Sequence, residues 1–160
     1  MYQKSTATTL SVFASEGELS ENLKEILIKA RKNTENSYAP YSKFRVSCAL
    51  QLTDGTLVMG SNQENIAYPS GLCAERVAIF AAGAQYPHTP PKVIAITATS
   101  EKGVVNHPPT SCGACLQVMA EYEKRFNTEL TIVLSGESGE VYVAEGVKQF
   151  MPWSFASDLV

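Results

Sequence analysis

Hydrophobic and polar positions change period several times along the chain, and each change marks an element. Leu19, Leu23, Ile26, Leu27 and Ala30 recur at helical intervals. Ser15 followed by Glu18 has capping-box spacing, so the first helix is predicted to begin there. The proline of Tyr38-Ala-Pro-Tyr41-Ser-Lys breaks it. Phe44, Val46, Cys48 and Leu50 then alternate with Arg45, Ser47, Ala49 and Gln51, the two-residue period of a half-buried strand. Thr53-Asp54-Gly55-Thr56 supplies a hairpin turn, and residues 57–62 return as a second strand. Residues 73–83 read as helix. A proline-rich connection over 86–91 leads to a β-branched run, 93–99, predicted to be a buried strand. Residues 101–110 read as loop and 112–126 as a further helix, with Leu116, Met119 and Tyr122 as its apolar stripe. Residues 130–134 and 141–144 close the sheet around a Ser-Gly turn. The order α-β-β-α-β-α-β-β predicts helices packed on a mixed five-stranded sheet. Residues 1–15, rich in Ser and Thr and without periodicity, read as a flexible tail. No repeat or long linker divides the rest, so 16–160 is expected to form one domain.

Composition narrows the function. At 160 residues, 44 % apolar and 18 % charged, the chain is long enough to bury a core without disulfides. Its net charge of −3 and pI near 5.4 argue against nucleic-acid partners, which clustered Lys and Arg would serve, and favour a small ligand. No stretch approaches the length of a membrane span, and the first residues lack a secretory apolar region. Cys48, Cys73, Cys112 and Cys115 are too few and too unevenly spaced for a secreted disulfide framework. A cytoplasmic setting with reduced thiols is therefore expected, where a Cys-x-x-Cys pair points to metal binding or catalysis.

Cys112-Gly-Ala-Cys115 sets two sulfurs three positions apart at the start of a helix, on one face and near exposed N–H groups that favour thiolates. A redox pair, a zinc ribbon and simple burial fit that spacing as well. Cys73-Ala74-Glu75 adds a third thiol and a carboxylate at another helix start. Three thiolates leave one position of a tetrahedral zinc open to water, the mark of a catalytic rather than a structural site. On a regular helix Cys73 and Glu75 would point to different sides, so Cys73 is expected at the helix entrance. Glu75 is then suited to shuttle protons between water and substrate; its alternative is a carboxylate favoured by the helix dipole. Arg76 would draw charge from the sulfurs, or else form an ordinary surface ion pair. Asn62 and Glu64, two apart at a strand end, share a face and combine a donor with an acceptor suited to vicinal hydroxyls. A turn-capping Asn and a solvated Glu are the plainer reading. Cys48 lies mid-strand among apolar neighbours and reads as core. His88 and His107 sit in proline-rich loops without metal-ligand spacing.

Four motifs, Tyr38-Ala-Pro-Tyr41-Ser-Lys-Phe44-Arg-Val46, Asn62-Gln-Glu64-Asn65, Cys73-Ala-Glu-Arg76 and Ser111-Cys-Gly-Ala-Cys115-Leu-Gln117, together resemble the cytidine deaminase family. The likeness is to its small, three-cysteine, homotetrameric type and runs from the first helix to the C-terminus. The resemblance implies a three-layer α/β/α sandwich and one zinc ion per chain held by Cys73, Cys112 and Cys115. It also implies hydrolytic deamination of cytidine and 2′-deoxycytidine with Glu75 as proton shuttle, in pyrimidine salvage. By the same resemblance Asn62 and Glu64 hold the ribose, the Phe44 ring packs on the pyrimidine and the Ala74 backbone bonds the base. Tyr68 is placed near a neighbouring subunit's site, and Phe155 is a ring that closes the pocket. Ser111, Leu116 and Pro69 depart from the family pattern, which commonly has Pro, Arg and Gly there. Two other functions share these features: deamination of a cytosine nucleoside antibiotic of blasticidin type, and a structural zinc module with Cys48 as fourth ligand.

Overall fold

The alternation that begins at Phe44 forms strand β2 (Phe44–Leu52). The Asp54-Gly55 turn follows, with Gly55 at φ +89° and Asp54 Oδ1 accepting the Thr56 N–H at 2.9 Å, and then strand β3 (Leu57–Ser61). The computed structural model describes residues 1–155. Its remaining elements are β1 (Ser11–Phe13), α1 (Glu21–Lys32), α2 (Ala74–Gln85), β4 (Pro91–Ser100), α3 (Gly113–Phe126), β5 (Thr131–Ser135) and β6 (Val141–Glu145). The strands make one sheet in the order β1-β6-β5-β4-β2-β3, antiparallel throughout except for the parallel β4–β5 pair.

Helix α1 covers one face of the sheet and α2 with α3 the other, which gives the three layers. The β4 sequence shows why its apolar run is continuous. Val93 and Ala95 pack toward Ile26, Leu27 and Ala30 of α1, while Ile94 and Ile96 pack toward Ile79 of α2 and Met119 of α3. Strand β2 departs from the half-buried expectation for the same reason. It lies between β3 and β4, so Cys48 and Leu50 are buried on one side and Ser47 and Ala49 on the other. The Ser47 hydroxyl is satisfied there, donating to the Gly60 carbonyl at 3.0 Å and accepting from Asn33 Nδ2 at 2.8 Å.

Two expectations need correction. The sheet has six strands rather than five, because Ser11–Phe13, assigned to the tail, pairs with β6. A three-residue strand carries no readable alternation, and its register comes from the open edge of β6 that it covers. The capping box at Ser15 also does not start a long helix. Residues Glu16–Glu18 form one 3-10 turn, Leu19 is extended and buried, and α1 begins at Glu21. Glu18 instead accepts the Ala14 N–H at 3.0 Å. Among the described residues, no helix is long and apolar enough to cross a membrane.

Candidate active site

Two helix N-termini meet at the site. Cys73 and Cys112 are the N-cap residues of α2 and α3, both with extended backbone (ψ 154° and 160°), and Cys115 lies in the first turn of α3. The extended Cys73 turns its sulfur away from the helical spiral, as the Cys-Ala-Glu spacing required. Cys73 Sγ lies 3.9 Å from Cys112 Sγ, which is 3.5 Å from Cys115 Sγ, and all three sulfurs lie within 4.8 Å of one another. Three converging thiol donors suit zinc, and three protein ligands rather than four fit the catalytic kind of site, which keeps a position open. Cys48 is outside the cluster. It is fully buried in the core, its thiol meets the Ala74 carbonyl at 3.2 Å, and burial, then the nearby Glu75, push its pKa well up.

The cluster favours a thiolate at Cys73, whose pKa is held down to about 5, chiefly by hydrogen bonding with Cys115 and further by Arg76 and Cys112. The same coupling, with burial, pushes Cys115 strongly upward. Arg76 Nη2 contacts Cys73 Sγ at 3.8 Å, and that contact is the main cause of its raised pKa. The guanidinium therefore sits on the sulfur rather than in a surface ion pair.

Glu75, only 4 % exposed, lines the same cavity as Cys73 and Cys112. Burial raises its pKa, and the Cys73 charge adds to that. The nearby Ser111 side chain favours the charged form, although its buried Oγ has no hydrogen-bond partner of good geometry. The cavity encloses about 650 Å³, a size suited to a small ligand.

Phe44, Asn62, Glu64 and Tyr68 also line it. Asn62 pairs with the start of β2, accepting the Val46 N–H at 2.9 Å through Oδ1 and donating from Nδ2 to the Phe44 carbonyl at 3.0 Å. Glu64 Oε2 accepts the N–H groups of Tyr41 (2.9 Å) and Ser42 (3.2 Å). The Ser42 side chain, then these backbone groups and Lys43, hold its carboxyl below the usual range. Both residues thus fix the backbone that carries Phe44 as well as facing the cavity.

Tyr68 is largely exposed, with its ring edge on Tyr41 at 6.1 Å between centroids. Ala74 does not line the cavity; its carbonyl receives the Cys48 thiol, and its N–H belongs to the first helical turn, which has no intrahelical acceptor. Phe155 does not line it either. The residue is 79 % exposed, and its backbone pairs with Gln117, donating N–H to Oε1 (3.1 Å) and accepting from Nε2 (2.9 Å). Gln117 stands in the last of the four motifs, but nothing in its spacing marks this clamp. Tyr41, Leu72, Pro109 and Thr110 are further lining residues that periodicity did not mark. Leu116 packs in the core, Pro69 lies in an exposed 3-10 turn, and His88 and His107 are exposed outside the cluster.

The zinc-binding-region model of cytidine and deoxycytidylate deaminases matches residues 20–128, spanning β2 through α3 and therefore all three thiols. The chain belongs to that family. It is 34 % identical to a cytidine deaminase of Sporosarcina psychrophila over 137 residues, 86 % of this chain and 93 % of the relative. It is 35 % identical to one of Halalkalibacterium halodurans, over 84 % of this chain and 96 % of the other. Among solved structures, the cytidine deaminase of Burkholderia pseudomallei superposes with a TM-score of 0.72 at 33 % identity, covering 86 % of this chain and all of that one. The deaminase family's α/β architecture is thus the one seen here.

Proposed function

We propose that this chain hydrolyses cytidine and 2′-deoxycytidine, with water, to uridine and 2′-deoxyuridine and ammonia, a step of pyrimidine salvage. The observation that carries the reading is a buried carboxyl, Glu75, lining one cavity with Cys73 and Cys112, two of three converging thiols. Zinc held by Cys73, Cys112 and Cys115, one ion per chain, supplies when bound the Lewis acidity that lets water lose a proton near neutral pH. Glu75 takes that proton and passes it to N3 of the pyrimidine as oxygen adds at C4. It then takes the proton of the new C4 hydroxyl and gives it to the amino nitrogen, so that the C4–N bond breaks, ammonia leaves and C4 becomes the carbonyl of uridine. A raised pKa suits a group that must hold a proton between two transfers. Arg76 offsets the thiolate charge at Cys73.

The second N–H of Asn62 Nδ2 and the Oε1 atom of Glu64, neither committed to the backbone contacts above, are assigned to the ribose hydroxyls. The Phe44 ring is assigned to the face of the pyrimidine and the Ala74 N–H to its edge. Phe155 and Tyr68 are assigned to pockets completed between copies of a homotetramer, since Phe155 carries an exposed ring on an anchored backbone. One deaminase domain and a cytoplasmic, reducing setting complete the reading; unpaired thiols are consistent with it. A free nucleoside is favoured over its phosphate. Among the described residues lining the cavity, Arg76 is the sole cation and it is engaged with Cys73, while Glu64 and Glu75 are acidic.

A spectrophotometric comparison of cytidine, deoxycytidine, deoxycytidylate and a blasticidin-type antibiotic tests this. Both nucleosides should turn over at least tenfold faster than the other two. Zinc-loaded protein inactive on both nucleosides would contradict the assignment.

A further inference from the structure

The loop between β4 and α3 is held at a defined place, and the side chain holding it lies outside the site. Val105 N–H donates to Glu137 Oε1 at 3.0 Å, and Glu137 N–H donates back to the Val105 carbonyl at 2.7 Å. Glu137 belongs to the turn joining β5 to β6, 32 positions away in sequence. That turn is shaped to receive the loop. A Cβ on Gly136 would lie 2.2 Å from the Val105 carbonyl oxygen and 3.1 Å from that of His107. One on Gly139, at φ +89°, would lie 2.6 Å from the Asn106 carbonyl oxygen. The turn is itself anchored, because the Gly136 carbonyl accepts hydroxyls from Ser135 (3.1 Å) and Thr97 (3.3 Å), both buried. Beyond this dock, Pro108 is buried, Pro109 and Thr110 line the cavity, and Cys112 is a thiol of the cluster. Pro109, the first residue of that cavity wall, therefore lies only four positions beyond Val105.

We infer that Glu137 is a positioning residue: its pairing with Val105 docks the 105–110 segment on the β5–β6 turn and so sets the wall that Pro109 and Thr110 present to substrate. The inference rests on the nucleoside reading for its kinetic consequence but not for its structural one. Releasing the dock loosens a wall of the cavity without touching Glu75 or a thiol, so substrate fit should suffer and chemistry at saturation should not. Glu137→Gln keeps an amide oxygen where Oε1 accepts; Glu137→Ala removes it.

The test measures amide exchange at 105–110, zinc content, and KM and kcat for cytidine in the full-length wild type and both variants. Glu137→Ala should speed Val105 amide exchange about tenfold. It should raise KM about three- to tenfold, leave kcat within twofold and retain one zinc per chain. Glu137→Gln should stay within twofold of wild type in every readout. Unchanged exchange or unchanged KM in Glu137→Ala overturns the proposal, as does a defect that Glu137→Gln fails to restore. Exchange is read without substrate, so a chain inactive on nucleosides would refute the proposed activity and still leave the dock decided.

Discussion

At Cys73 a single backbone conformation decides what a sulfur can reach. Were the residue one turn into α2, its thiol and the Glu75 carboxylate would diverge; as the extended N-cap it joins Cys112 and Cys115 while Glu75 faces the same cavity. Cys48 shows the opposite fate, with its thiol enclosed by core and directed at the Ala74 carbonyl. Cys48→Ser should therefore leave zinc at one per chain, measured by elemental analysis. It should lower stability by about 1–2 kcal/mol, because a hydroxyl is less suited than a thiol to an apolar surrounding. A drop in zinc would make Cys48 a ligand. The three-thiol set, Glu75 and the core place of Cys48 were legible because each depends on spacing within a short motif or strand. The double engagement of Asn62 with β2 and the Gln117–Phe155 pairing were not, because they depend on backbone brought close from 16 to 38 positions away.

Helix α2 can carry its residues to the metal cluster only if β3 lets it approach. Gly60 makes that possible: a Cβ there would lie 2.2 Å from the Ala74 carbonyl oxygen and 2.9 Å from Ala78 Cβ. Gly60→Ala should push the first turn of α2 away, lower stability by about 3 kcal/mol and weaken zinc retention. Denaturation and metal analysis together check this. At the far end of α3, half-buried Glu123 accepts the N–H groups of Leu130 (2.8 Å) and Val147 (3.1 Å) through one oxygen. Burial nevertheless raises its pKa, so the folded state holds the proton to higher pH than the unfolded chain. Its contribution is complete below the ordinary carboxylate value and is lost as pH rises through the raised one. Glu123→Gln keeps the accepting oxygen, so its Tm relative to wild type should climb between pH 4 and pH 7. A flat difference would contradict the assignment. The longer helices and strands were readable from periodicity. Strand β1 and the true start of α1 were not, since the open edge of β6 and the burial of Leu19, not local pattern, determine them.

Among the described residues, the N-terminal segment meets the segment that follows β6. The Thr9 N–H donates to Gln149 Oε1 at 2.7 Å, Lys4 lies over the Trp153 ring at 5.2 Å, and Phe155 is held on α3. An anchored C-terminal segment carrying an exposed aromatic ring supports assembly between copies. Gel filtration with light scattering should give a species of four chains, and a stable, active monomer would rule out pockets shared between copies. Under the proposed function Glu75 performs the proton transfers in a site whose metal it does not hold. The most direct test of that role is Glu75→Ala, assayed side by side with wild type for zinc content and cytidine turnover. The variant should retain one zinc per chain and turn over cytidine at least about a thousandfold more slowly. Turnover within tenfold of wild type, or loss of zinc along with activity, would contradict that role.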